Sequence, residues 1–385
     1  MHHLPGPDPI IPKICNYPGS FATDQPIARV LANVLANAKK CSSIYLDTLQ
    51  SMGGGTIYNE SNHAQGLARS HVLSNNQIYF FLSYSEIGAR GTLSQYSYAG
   101  PLDGSHVVET SPLQVAPMQH GLLKIDEEHP SDLEFLPDIN YVDAGYLFVT
   151  EEFQRHRLVV YRWTPGQPLE KHGHISHGFS HDNNSNGTGP NFVFLDRVGD
   201  RYYLGVASQH WGWGILFSAE CQALFPTCKQ GEMKLSAFQP VSALDIAPFP
   251  PKTWPPPIMP PADAQGIFPF PTFSDGLPSQ VKLVLDSTGE WYLLAFRSDP
   301  DDKTLAVDYV DVYPVQFNPF KISGRISINH VTFVAGDTSF ASTGTHYVEP
   351  FGRFLVSCSY RWAKDDLPNP GQAGYVTRVD ECPSF

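Results

Sequence analysis

DRVGDRYYL, residues 196–204, and DSTGEWYLL, residues 286–294, follow one pattern: Asp-x-x-Gly, a short polar step, and then an aromatic strand. The glycine supplies the positive φ that a hairpin turn requires. The apolar and aromatic residues after it favour a β-strand. Each stretch therefore predicts a tight turn that leads into a strand.

The same unit recurs along the chain. An apolar strand ends near a small or acidic residue, and in four of five copies a polar loop and a second alternating strand follow. The aromatic markers recur about every 60 residues, with one longer gap, and are Tyr79, Tyr146, Tyr203, Tyr292 and Phe354. This period, in a chain with little helix, predicts an all-β fold with a single β-propeller of five blades. A propeller of six blades is the alternative, because residues 101–125 or a Pro-rich segment could supply more strands.

Two segments depart from the repeat. Residues 24–40 place apolar side chains at helical spacing and predict a short amphipathic helix. It belongs to an amino-terminal extension, residues 1–54, packed outside a propeller domain of residues 55–385. The Pro-rich insertion, residues 247–273, is expected to be extended and outside the sheets, because proline has no backbone N–H to donate.

The blade pattern resembles that of β-propeller proteins, and the count of five is similar to the architecture of some glycosidases and lectins. The resemblance covers roughly residues 55–382 and concerns architecture only. For a glycosidase it implies two carboxyl groups, one a general acid and the other a base or nucleophile. Glu151 and Glu152 are adjacent, so only one of that pair can face inward.

Composition limits the partners. The 385 residues carry a formal net charge of −13, and no basic stripe is present, so nucleic acid is not an expected partner. No apolar run approaches the ~20 residues that span a bilayer. No P-loop, dinucleotide fingerprint or nucleophile elbow occurs, so neither a nucleotide cofactor nor a serine triad is expected.

Six cysteines favour a secreted protein, although the amino end has no signal-peptide pattern and a cytosolic origin stays open. The conceivable disulfides are Cys221–Cys228, Cys15–Cys41 and Cys358–Cys382. Glycosylation sequons begin at Asn59, Asn183 and Asn186.

Polar residues near the beginning of several predicted blades are the first functional candidates, since the innermost strand of each blade lines a central channel. Alternate residues of a strand share a face, which would let several of them point inward together. The predicted catalytic residues, acting as general acids and bases, are His63, His129, Asp132 and Glu134. The predicted substrate-binding residues on these strands are Gln65, Arg69 and Gln280.

A metal site is the sharper hypothesis for the histidines. One imidazole from each of several inner strands could converge on the propeller axis. The predicted ligands are His63, His129, His181 and His330. A divalent cation, calcium or zinc, is the implied cofactor. The alternative is that each histidine bonds a backbone carbonyl or lies at a loop tip.

The histidine-rich stretch EKHGHISHGFSHDNN, residues 170–184, predicts a polar loop between blades, because its glycines and serines disfavour a helix. Within it His181 is the residue expected to point toward a central pocket. His172 and His174 are expected to be solvated.

Three aromatic residues in SQHWGWGILF, residues 208–217, offer a binding surface. If exposed, His210, Trp211 and Trp213 would stack on a sugar or another apolar ligand. The alternative is packing between blades.

Two functions remain in view. The favoured one is an enzyme of the hydrolase, lyase or isomerase type that acts on a small molecule or glycan at one asymmetric pocket at the channel mouth. The alternative is a lectin-like propeller without catalysis. The strong divergence among blades favours the single site. The oligomeric state is left open.

Overall fold

The structure, a computed structural model of the 385-residue chain, describes part of that chain. The described residues are 26–29, 42–47, 63–71, 73–75, 77–85, 92–99, 115–116, 123–124, 130–139, 141, 143–151, 157–177, 190–208, 211–226, 232–249, 260, 263–271, 278–298, 307–332, 342–348, 353–360 and 376–382.

The described strands form five sheets whose long strands pair antiparallel. The first sheet contains β2 (His63–Arg69), β3 (Gln77–Ser85), β4 (Thr92–Ala99) and β6 (Leu123–Lys124). The second contains β7 (Pro130–Pro137), β8 (Gly145–Glu151), β9 (Arg157–Trp163) and β10 (Glu170–Ser176). The third contains β11 (Phe192–Val198), β12 (Arg201–Ala207), β13 (Trp213–Glu220), β14 (Gln239–Pro240) and β15 (Ile267–Pro269). The fourth contains β16 (Pro278–Leu285), β17 (Trp291–Ser298), β18 (Val307–Phe317), β19 (Phe320–Ile322) and β20 (Ser327–Thr332). The fifth contains β21 (Ser342–Val348), β22 (Arg353–Tyr360), β23 (Val376–Cys382), β1 (Ser42–Asp47) and β5 (Val115–Ala116).

The first strands of the sheets form a ring. Strand β2 contacts β7, β7 contacts β11, β11 contacts β16, β16 contacts β21, and β21 contacts β2. Strand β1 pairs with β23 from Ser42 opposite Glu381 to Asp47 opposite Val376, so the two ends of the chain share the fifth sheet. Pairing of this kind removes a strand edge and closes the ring. The predicted all-β propeller architecture is confirmed.

Helix is scarce in the part of the chain that the structure describes. It comprises α1 (Cys221–Leu224), 3₁₀ turns at Leu235–Ala237 and Ala243–Asp245, and helical residues 27–29. Of the rest of the predicted helix 24–40, only Pro26 is described, and it is not helical. No described helix is long and apolar enough to cross a membrane.

Aromatic side chains fill the spaces between neighbouring sheets. Between the first and second sheets, Phe81 stacks on Phe135 at a ring-centroid distance of 5.4 Å and meets Trp163 edge-on at 5.3 Å. Between the third and fourth sheets, Phe268 meets Phe320 edge-on at 5.0 Å. Burial of each such ring stabilises the fold by roughly 1.5–3 kcal/mol, so blade-to-blade contact supplies much of the core.

The repeat read from the sequence corresponds to one strand type. The aromatic markers all lie on the second strand of a sheet and are Tyr79, Tyr146, Tyr203, Tyr292 and Phe354. Two turns between first and second strands contain glycines with positive φ, +64° at Gly199 and +84° at Gly289, as DRVG and DSTG predict.

Two segment boundaries differ from the sequence analysis. Strand β1 lies in the fifth sheet, although residues 1–54 were expected outside the propeller. Within the Pro-rich insertion, β15 pairs with β13, so a location wholly outside the sheets is wrong. The prolines do not prevent this pairing, because β15 is short and only its last residue, Pro269, lacks an N–H.

The strand register also bears on the cysteines. Cys358 lies opposite Arg378, and Cys382 lies opposite Phe354. Four residues therefore separate the two cysteines along the paired strands, or roughly 13 Å. A disulfide requires Cα atoms about 4.4–6.8 Å apart, so this register excludes Cys358–Cys382, one of the conceivable pairings. Cys221 is buried, and its predicted partner Cys228 lies outside the described residues, as do Cys15 and Cys41.

Candidate active site

Buried polar side chains gather where the first strands begin and the second strands end. Both positions lie at the same end of the ring, because the first two strands of a sheet are antiparallel, as Pro130 opposite Glu151 shows. The buried polar residues at this end are Ser83, Ser131, Asp132, Thr150, Glu151, Asn191, Ser208 and Gln280.

Serine hydroxyls join the inner edges of three sheets. Ser83 Oγ accepts a hydrogen bond from Gly66 N (2.8 Å) and donates one to Ser131 O (2.6 Å). Ser131 Oγ donates to Asn191 O (3.1 Å). Backbone groups at the inner edge of a blade have no further strand to pair with, and a buried unpaired group is costly. Side chains therefore complete the hydrogen bonding there.

Asp132 occupies the centre of this region. Its Oδ1 accepts from Leu133 N (2.8 Å), and its Oδ2 accepts from Val193 N of β11 (3.2 Å). Thr150 Oγ1 of β8 accepts from Asp132 N (2.9 Å). The residue is fully buried. Burial raises the pKa of Asp132 to about 7; Lys282 opposes the rise, and Glu134 adds to it.

Glu134 and Lys282 form a buried ion pair across the ring. Lys282 Nζ, from β16 of the fourth sheet, lies 2.9 Å from Glu134 Oε1 on β7 of the second sheet, and both side chains are buried. The ammonium also donates to Leu133 O at 2.6 Å. Burial raises the pKa of Glu134, while the charge of Lys282 counteracts that rise.

Gln280 makes a second tie across the ring. Its Nε2 donates to Leu67 O of β2 at 2.7 Å. Gln280 and Lys282 are two residues apart on β16 and share a strand face. Strand β16 therefore reaches both β2 and β7.

The arrangement suits proton transfer. Asp132 holds a carboxyl that titrates near neutrality, and Glu134, two residues away on β7, is paired with a cation. A carboxyl that holds its proton near neutrality can act as a general acid, and a carboxylate held by a cation can stabilise positive charge that develops nearby. We refer to Asp132, Glu134 and Lys282 as the central cluster.

The structure brings some of the predicted site residues together and places others elsewhere. Asp132, Glu134 and Gln280 lie together at the centre, as expected. Arg69 is buried at the opposite end of β2, the last residue of that strand. The side chain of Gln65 lies outside the described part of the structure.

Most of the histidine predictions fall on residues that the structure does not describe. His63 begins β2, but its side chain is not described; His129, His181 and His210 lie outside the described residues. His330 is on β20, which pairs with the third strand of its sheet, β18. The predicted position of His330 at the central channel is therefore wrong, because β20 is not an inner strand.

No group of three His, Cys, Asp or Glu residues that could hold a metal occurs among the described residues. The metal prediction therefore depends on His63, His129 and His181.

The histidine-rich stretch is partly a strand. His172 and His174 lie on β10, not in a loop. His172 Nε2 is 2.7 Å from Met233 O, and its ring contacts that of Tyr146 at a centroid distance of 5.0 Å. His174 is exposed. The expectation that both are solvated is thus wrong for His172.

The two tryptophans pack in the core. Trp211 and Trp213 are buried between the second and third sheets, and their rings stack at 4.6 Å. This is the packing role that the sequence also allowed. A sugar-stacking platform made of these rings is contradicted by their burial.

Lys282 was not predicted as a site residue. The signal was present, because a single lysine interrupts the apolar run VKLVL two residues after Gln280. A lysine on an inward strand face needs a buried anion. Ser83 and Ser131 carry no comparable signal, since serine is common in strands near loops.

Comparisons with known proteins add no family assignment. No protein-family model matches the chain, and no curated protein matches it. Among solved structures, a GH43_1 enzyme from Xanthomonas citri is 11% identical, with 91% of this chain and 92% of that chain covered and a TM-score of 0.43. A Bombyx mori GH32 beta-fructofuranosidase in complex with sucrose is 10% identical, with 92% of this chain and 66% of that one covered and a TM-score of 0.46. A GH62 hydrolase in complex with xylotriose is 10% identical, covering 88% and 97%, with a TM-score of 0.40. With TM-scores below 0.5, these likenesses carry no argument about this chain.

Proposed function

We propose that the chain is an enzyme that acts on a glycan or another small molecule by general acid–base catalysis at the centre of a five-bladed propeller. Each of the five sheets is one blade in this proposal. The observation that carries it is the central cluster, in which a buried carboxyl with a pKa near neutrality lies beside a carboxylate paired with Lys282. A structural role alone does not require a titrating group at Asp132.

The roles follow from the surroundings of each group. Asp132 holds the proton and acts as general acid, while Glu134 stays anionic and supports positive charge that develops on the substrate. Hydrolysis of a glycosidic bond is the reaction that such a pair of carboxyl groups performs.

His63 and His129 remain part of the proposal. His63 is the first residue of β2, and His129 directly precedes β7 in the chain. Strands β2 and β7 begin at the same end of the ring. A divalent metal held by these residues and His181 is a separate proposal. Elemental analysis of purified protein tests it: less than one equivalent of calcium or zinc per chain after dialysis contradicts it.

The experiment is a screen against nitrophenyl glycosides and unlabelled oligosaccharides. The original protein is expected to cleave at least one substrate, and Asp132→Asn to lower kcat by about 10²–10⁴-fold, the range of general acid catalysis. Asp311→Asn is the matched control, since it changes a buried aspartate on β18 that pairs with Arg325 at 3.3 Å. It is expected to keep the activity.

Two outcomes oppose the proposal. An original protein that cleaves no member of either panel contradicts the function. An active protein whose Asp132→Asn variant keeps full kcat contradicts the assigned role. No observation on the described residues favours the lectin-like alternative, because Trp211 and Trp213 are buried.

A further inference from the structure

Lys282 is one cation facing two carboxyl groups. The charged groups that act on Asp132 are Glu134 on its own strand and Lys282 on β16. From the other elements packed against Asp132 come neutral groups, the Thr150 hydroxyl of β8 and the Val193 N–H of β11. Among the described residues, the central cluster thus contains two acids and a single ammonium.

Charge balance among these buried groups favours one bound proton. Two carboxylates and one ammonium would leave an uncompensated buried negative charge, which is costly away from water. One proton on either acid makes the cluster neutral. The question is therefore which of the two acids holds that proton.

The geometry answers it. Lys282 Nζ is 2.9 Å from Glu134 Oε1, whereas the hydrogen bonds to the Asp132 oxygens come from the backbone N–H groups of Leu133 and Val193. An ammonium in direct contact stabilises a carboxylate more than neutral donors do. The proton therefore belongs on Asp132.

We propose that Lys282 is a positioning residue that assigns the proton of the central cluster to Asp132, by pairing with Glu134 from the opposite side of the ring. The catalytic meaning of this assignment rests on the proposed function. The assignment itself does not, because it concerns only the protonation of two groups in the resting protein.

The test is infrared difference titration of the carboxyl groups, with Asp132→Asn and Glu134→Gln used to assign each band. In the original protein, the Asp132 band is expected to be protonated, and the Glu134 band ionised, just below neutrality. In Lys282→Met, Glu134 is expected to take up a proton, with its midpoint raised by at least about one pH unit. Lys282→Arg is expected to restore the original midpoints.

A control variant separates the effect of Lys282 from a general effect of removing a lysine charge. Lys321→Met makes the same change at an exposed lysine on β19 and is expected to move neither band. If Lys282→Met does not fold, the double variant Glu134→Gln/Lys282→Met removes both charges. Because Lys282 acts on Asp132 more strongly than Glu134 does, the Asp132 midpoint is expected to lie higher in the double variant than in the original protein.

Three results overturn the inference. They are a proton on Glu134 in the original protein, unchanged midpoints in Lys282→Met, and an Asp132 midpoint in the double variant that is equal or lower. Failure of the proposed function looks different: no substrate is cleaved while the titration behaves as expected.

Discussion

The Asp132→Asn variant should gain stability, relative to the original protein, as the pH rises. In the folded protein the pKa of Asp132 is about 7, whereas an aspartate in an unfolded chain has a pKa of about 3.9. Between these values the folded state holds a proton that the unfolded state has lost. The contribution of Asp132 to stability is therefore fully present below the unfolded pKa and is lost as the pH rises toward the folded pKa.

The size of this loss of stability follows from the difference of about 3 units between the folded and unfolded pKa values of Asp132. At about 1.4 kcal/mol per unit, ionisable Asp132 makes the protein about 4 kcal/mol less stable at pH 8 than at pH 4. Asparagine does not titrate, so it avoids this loss. It cannot accept from both Leu133 N and Val193 N, which costs about 1 kcal/mol. The variant should be about as stable as the original protein near pH 4.5, where an unfolded aspartate is already mostly ionised, and about 3 kcal/mol more stable near pH 8.

Urea unfolding at both pH values measures the two free energies of unfolding. The control is Asp311→Asn, which removes the ion pair with Arg325 and should destabilise the protein at both pH values. The reasoning would be refuted if the difference in free energy of unfolding between Asp132→Asn and the original protein were the same at both pH values. It would mean that Asp132 ionises as an ordinary aspartate.

Two further predictions concern packing. His172→Ala should lower the free energy of unfolding by about 1–2 kcal/mol, because it removes the hydrogen bond to Met233 O and the ring contact with Tyr146. The control, His174→Ala on the same strand, should change the free energy of unfolding by less than about 0.5 kcal/mol. Equal effects of the two substitutions in urea unfolding would contradict this prediction. In Gly66→Ala the new Cβ would clash with the Ser131 carbonyl oxygen of β7, so both stability and any measured kcat should fall. Gly324→Ala, whose Cβ meets nothing within 4 Å, should change neither. A Gly66→Ala protein with full activity would contradict the close approach of β2 to β7.

The fold was predictable because its repeat is carried by local patterns. An Asp-x-x-Gly turn followed by an aromatic strand is readable without knowledge of the rest of the chain, and the markers all fall on second strands. The pairing of β1 with β23 was not predictable in this way. It joins residues more than three hundred positions apart, and no local pattern encodes such a contact.

The site was predictable only in part, for a similar reason. Asp132, Glu134 and Gln280 were predicted because they are polar residues near the beginning of blades. The role of Lys282 depends on how far β16 lies from β7 across the ring, which strand periodicity does not state. The predicted location of His330 is wrong because its strand, β20, is not the first strand of a blade but extends the fourth sheet at β18.

The inner edges of the blades explain why polar residues occur there at all, but they do not explain a carboxyl at Asp132. Serine and glutamine satisfy backbone groups at the same edges, as Ser131 and Gln280 do, and neither residue titrates. An asparagine at position 132 would still accept one backbone N–H and would avoid the loss of about 4 kcal/mol at neutral pH. Asp132 weakens the fold under these conditions, and its neighbours lie on three other strands, β8, β11 and β16. Both are features of a functional residue. A carboxyl retained at this cost in stability favours proton transfer as the role of the central cluster.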